Sequence, residues 1–201
     1  MDRPNTEVEG SLFLQIAITA GRVAGVEIVS TRPRGVSGVL EGKPVGEAVA
    51  ALPLLYSLCG TAQAAAGLAA CEAALGLSLS EAQAAARRIL VAGEAIEQIL
   101  WRFFIDLPPL IEEPSQIVHL RAVRRSVAAL RGALFVQEDW VRVGGARLQT
   151  DGDGLDQAIS ALAQHFNQDL LGVAVPDPSP MTGVKAFAAW TDRGPSPTAR
   201  A

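Results

Sequence analysis

Histidine and cysteine are scarce in this chain, with two of each among 201 residues, which excludes most multi-ligand metal chemistry at the outset. Cys59 and Cys71 make no disulfide framework. On one continuous helix their separation would span about 18 Å of rise, beyond the reach of a disulfide. No His/Cys grouping has zinc spacing. Walker loops, Gly-x-Gly-x-x-Gly, Gly-x-Ser-x-Gly and a paired nucleophile and base are all missing, so enzymatic function is not expected. The net charge of −4 leaves no electrostatic footprint for nucleic acid. Residues 1–10 lack the basic start and apolar core of a secretory signal, and a reducing, cytoplasmic setting is expected.

One uncharged run, Ala48 to Cys71, meets the length test for a membrane span. Ala and Gly make up 11 of its 24 residues, it carries Pro53 and Gly60, and it lacks aromatic or basic interfacial anchors, so two buried helices meeting near Cys59 are expected instead.

What is present is a hydrophobic content of 49%, enough for one well-packed domain. Leu12, Leu14, Ile16 and Ile18 alternate as in a strand, Thr19-Ala20-Gly21-Arg22 supplies a turn, and Val23–Val29 reads as a second strand. Such a hairpin is marginal alone and calls for helices to lean on. Residues 31–44 hold three glycines and two prolines and read as loop. Helical patterns follow: 45–57 with Pro53 as a kink or break, and Thr61–Leu75 closed by Gly76. The capping box Ser80-Glu81-Ala82-Gln83 opens a helix to about Ile105, its core stripe running through Ile89, Gly93, Ile96, Leu100, Phe103 and Phe104. A helix with Pro114 in its first turn runs to about Leu134, and a last one covers 154–171. The expected fold is α+β: an N-terminal antiparallel hairpin packed on a bundle of about five helices, as a single domain over 1–175. A proline-rich, flexible tail is expected over 176–201.

Cys59 falls where an apolar run meets a Gly-led helix start. Unpaired N–H groups at such an end favour a thiolate, the form that binds metals or attacks electrophiles. Periodicity alone leaves open an inert buried thiol or a functional one. Cys71, mid-helix, reads as packing. Glu94, Glu97 and His119 suggest a carboxylate-bridged metal centre, but the Glu-x-x-His pairs of helical di-metal sites are absent, which favours a solvated face. His165 stands alone. Arg121, Arg124, Arg125 and Arg131 form a basic helix stretch, read as solvated or as a contact for an acidic partner.

The order of features from Glu7 to Leu110 resembles the N-terminal part of a nickel–iron hydrogenase large subunit. Val8-Glu9-Gly10-Ser11-Leu12 is similar to its Glu-Gly-His segment, and Leu40-Glu41-Gly42-Lys43-Pro44 to its Lys-Gly-Arg-x-Pro-like approach. Ser57-Leu58-Cys59-Gly60-Thr61-Ala62 resembles its Arg-x-Cys-Gly-x-Cys motif. The motif's arginine is here Ser57, its second cysteine Ala62 and a following histidine Ala66. The C-terminal Asp-Pro-Cys-x-x-Cys is missing, since Pro176-Asp177-Pro178-Ser179-Pro180 holds no thiol. Four thiolates make the large subunit's metal site, and this chain matches one.

Those losses are similar to the HupK/HoxV-type hydrogenase maturation proteins, which resemble a catalytically empty large subunit and are longer than this chain. The resemblance implies a scaffold that holds an Fe(CN)2(CO) iron unit transiently, with Cys59 as metal ligand and Glu9 behind it. It implies maturation chaperones of the HypC/HypD type and the hydrogenase large subunit as partners. Two other classes remain: a metal-free interaction module that mimics the large subunit, and a cysteine-dependent enzyme, which would need a base near Cys59.

Overall fold

A computed structural model describes residues 10–32, 35–137, 139–172 and 184–193. The described chain divides into two compact units, one ending at Lys43 and one beginning at Pro44.

The first unit is the expected hairpin. Strands β1 (Leu12–Thr19) and β2 (Arg22–Ser30) pair antiparallel from Leu12↔Ser30 to Thr19↔Arg22. Ala20 and Gly21, both at positive φ, make the tight reversal between them. The register steps once between Ala17 and Ile18, so Ala24 is the extra residue of a bulge on β2. Leu14, Ile16, Ile18, Val23 and Ile28 are exposed. Within the expected loop, Val36–Leu40 forms a short 3-10 turn.

The second unit is helical. The uncharged run divides into α1 (Val45–Leu55), with Pro53 in its last turn, and α2 (Gly60–Ala74). Among the described residues no helix is long and apolar enough to cross a membrane. α2 ends in a paired closure: Gly76, at φ +67°, donates to the Ala73 carbonyl, and Leu77 N–H donates to Glu72 O at 2.9 Å.

α3 (Glu81–Trp101) opens with half of the expected capping box. Ser80 Oγ accepts from the Gln83 N–H at 3.3 Å, whereas the Gln83 side chain donates to the carbonyl of Ala146 instead of reaching back. A tertiary acceptor outcompetes the local one. α3 then widens into a π turn, Arg102–Asp106, closed by Leu107 N–H to Arg102 O at 2.9 Å.

α4 (Ile117–Leu134) starts three residues later than Pro114 suggests. The Gln116 N–H is donated to Phe104 O at 2.7 Å, which holds the approach against the end of α3. α5 (Gly152–Gln164) is capped by Asp151, whose Oδ1 accepts from Gly154 N–H, and passes into a second π turn, His165–Leu170. α6 covers Val184–Arg193, inside the stretch that the proline content marked as tail.

The core is built where α3, α4 and α5 meet. Leu100 and Phe104 pack with Val123 and Leu130 of α4 and with Ala158 and Leu162 of α5. Ile89, Ile96 and Phe103 of the expected stripe border it half-buried.

A buried ion pair joins α2 to α3. The Arg87 guanidinium donates to both oxygens of Glu72, at 2.7 and 2.8 Å. Glu72 Oε1 also accepts the Gly144 N–H, and Arg87 Nη2 donates to the Arg142 carbonyl. The Arg87 hydrogen bonds hold the Glu72 carboxyl below the usual carboxylate range, against the opposing effect of burial; the Gly144 N–H and the arginine's charge add to the lowering. A folded-state value below the unfolded one means that the unfolded chain binds more protons, so this stabilisation is full above the ordinary carboxyl range and is lost as pH falls through the folded value. Glu72→Gln is expected to cost about 3 kcal/mol at pH 7, because it leaves a buried guanidinium without its counter-charge. Urea unfolding of both proteins at pH 7 and in acid should show that gap narrowing in acid; a gap independent of pH would sink the assignment.

Candidate functional site

Cys59 is the residue before the first turn of α2, exposed, with its carbonyl accepting the Gln63 N–H at 2.9 Å. Its Sγ lies 3.8 Å from Gln63 Nε2, one turn further along. The thiol is therefore free and open to solvent. Gly60 is required beside it for a packing reason. A Cβ on Gly60 would stand 3.0 Å from Pro53 Cα and 3.1 Å from the Pro53 carbonyl oxygen, so the start of α2 sits directly on the last turn of α1.

The helix end next to the thiol is not vacant. Glu94 of α3 accepts the N–H of Thr61 at 2.7 Å through one oxygen and that of Ala62 at 2.9 Å through the other. A carboxylate from a neighbouring helix thus takes two of the donors that the sequence left unpaired, in the place where an external anion would bind. The solvated-face reading missed that Glu94 caps α2 and lines the candidate site. The signal was indirect: a helix opening with Gly-Thr-Ala has no strong acceptor of its own, so one must come from elsewhere.

Beside Cys59 opens a polar cleft of about 240 Å³ lined by Ser57, Leu58, Gly60, Thr61, Glu94 and Arg131, among others. Leu58 and Gly60, on either side of Cys59 in the chain, line the cleft, whereas Cys59 itself does not. Arg131 reaches it from α4 with Nε buried and, among the described residues, without a hydrogen-bond partner. Ser57 and Ala62, where the large-subunit motif has arginine and cysteine, hold the rim and the first turn of α2.

The suggested carboxylate centre does not assemble. Glu94 caps α2, while Glu97 pairs with Arg124 at 3.0 Å, and the Arg124 guanidinium lies 4.7 Å over the Trp101 ring. His119 and His165 instead converge on Asp169, whose Oδ2 is 3.2 Å from His119 Nδ1 and 2.8 Å from His165 Nδ1. Among the described residues no group of three or more His, Cys, Asp or Glu is arranged to hold a metal ion. Cys71 is a free, half-buried thiol in the last turn of α2. Arg121 and Arg125 are exposed, whereas Arg124 is engaged and Arg131 faces the cleft. Glu9 and the Pro176–Pro180 segment lie outside the described residues.

Glu94→Ala is expected to destabilise the fold by about 2 kcal/mol, the scale of a helix cap with charge-assisted bonds. Amide hydrogen exchange should quicken at Thr61 and Ala62 and stay unchanged in the middle of α4. Uniform quickening across both helices would argue against a capping role.

No known protein family's sequence profile matches the chain, and no solved structure matches it. It is similar to the hydrogenase expression/formation protein HupK of Bradyrhizobium diazoefficiens, 26% identical over 163 residues. That match covers 71% of this chain and 45% of the relative, so the chain spans about half the length of the curated relative it matches. The similarity to a hydrogenase expression/formation protein agrees with the resemblance carried by the order of motifs.

Proposed function

We propose that this chain is a non-enzymatic maturation scaffold for nickel–iron hydrogenase. In this reading Cys59 holds an Fe(CN)2(CO) unit as cargo before transfer to the large subunit. The observation that carries the reading is an exposed thiol whose two chain neighbours, Leu58 and Gly60, line a polar cleft, in a chain similar to a hydrogenase formation protein.

The chemistry follows from the donor set. A soft thiolate suits an iron carrying strong-field diatomic ligands. With no cluster of three or more His, Cys, Asp or Glu among the described residues, Cys59 would act alone, which keeps the cargo transferable. Cyanide nitrogens accept hydrogen bonds, and Arg131, which lines the cleft, is a suitable donor, its charge offsetting theirs. Glu94 works in the opposite sense: its carboxylate already occupies the α2 amides, so the positive helix end is shared rather than offered whole to the thiolate. Coordination positions left open on the iron would be filled by a partner's cysteine. Chaperones of the HypC/HypD type and the large subunit are the partners in this scheme, and Glu9 is a further candidate contact to the iron's surroundings.

A second reading, a metal-free module that docks maturation chaperones, is favoured by the exposed apolar side chains of the hairpin, Leu14, Ile16, Ile18 and Ile28.

Anaerobic purification from cells expressing the maturation machinery separates the two. The scaffold predicts iron together with cyanide and carbonyl infrared bands, and at least a tenfold loss of those bands in Cys59→Ser. Arg131→Leu should shift the cyanide bands while leaving iron bound. Undiminished bands in Cys59→Ser would remove Cys59 from the site, and an iron-free protein would favour the docking module.

A further inference from the structure

A second cavity, lined by none of the cleft residues beside Cys59, opens between α3, α4 and α5 with a volume of about 460 Å³. Its walls are hydrocarbon, among them Ile89 and Ile96 of α3, Leu130 of α4, Ile159 of α5 and Phe166. No charged side chain lines it. The polar side chain on the lining is Asn167, which is 6% exposed and whose carboxamide has no hydrogen-bond partner among the described residues.

Asn167 reaches that position through the π turn. Leu171 N–H bonds to Phe166 O at 3.1 Å, five residues back, so the helix carries one residue more than an α-helical turn would. The same turn is held to α4 by Asp169, which meets His119 as well as His165. Both histidines are thereby spent on fixing the wall of the cavity. An occupant that pairs with this carboxamide would supply a hydrogen bond that the described residues do not.

Size and charge narrow the occupant. The volume lies within the roughly 300–1,000 Å³ of small-molecule sites, and the eleven lining residues fall short of the roughly 20–30 a side that a stable protein interface uses. An ionised head group would lose its hydration here without meeting a counter-charge. We propose that this groove binds a small neutral molecule with a hydrocarbon body and one carboxamide-like head, paired with the side chain of Asn167.

The test titrates the full chain with octanamide, with acetamide as the headgroup control, and follows backbone amide resonances. Octanamide should give saturable shifts at groove residues, and acetamide none at the same concentrations. Asn167→Leu should weaken octanamide binding about fivefold, the effect of one lost hydrogen bond. Ala92→Phe, at the exposed rim, should fill the groove and abolish the shifts while circular dichroism is unchanged, so the idea stays testable even where Asn167→Leu does not fold. Absence of saturable shifts, or equal affinity in Asn167→Leu, would overturn it. So would self-association of the unmodified protein that Ile159→Glu abolishes, since the groove would then be an interface between copies.

Discussion

The position of Cys59 depends on how α2 is held against α3, and the buried Glu72–Arg87 pair is the strongest polar tie between those helices. Arg87 donates to both carboxylate oxygens, and each partner has a further backbone bond in the 142–144 segment. One ion pair therefore fixes two helices and a loop. Such a pair contributes little net stability against a well-packed apolar alternative, but loss of one partner is costly. Its value here is positional: sliding α2 along α3 would strand a charge in the interior.

At the other end of α2, Glu94 repeats the logic with different chemistry. Its two oxygens accept two α2 amides, and Gly60 lets that end sit against Pro53. The thiol thus projects from a helix pinned at both ends by α3. In the proposed scaffold, a cargo site made of one sulfur would need that stiffness, because no further ligand would correct its aim. A carboxylate of the protein thus occupies the anion-binding end of the helix next to the thiol.

Much of the fold was readable along the chain. Strand alternation from Leu12 to Ile18, the Gly76 stop, the Ser80 cap and the α3 core stripe all depend on residues close in sequence, and each is found with boundaries displaced by a few residues. The displaced features share a cause. Gln83 leaves its capping box for Ala146, and α4 starts after Pro114 because Gln116 is bonded to Phe104. In both cases a partner remote in sequence outcompeted a local one. The π turns were invisible for the same reason, since 3.6-residue periodicity averages over one extra residue.

The candidate site divides along the same line. The sequence by itself determined that Cys59 opens a helix, that no multi-thiolate motif accompanies it, and that the order of motifs resembles a hydrogenase large subunit, because these are facts of spacing. Only the tertiary structure decided that Glu94 fills the helix end, that Arg131 reaches the cleft, and that His119 and His165 share Asp169. Side chains far apart along the chain meet there through helix packing, and whether each charge is solvated, capping or paired depends on a neighbour that local periodicity does not name.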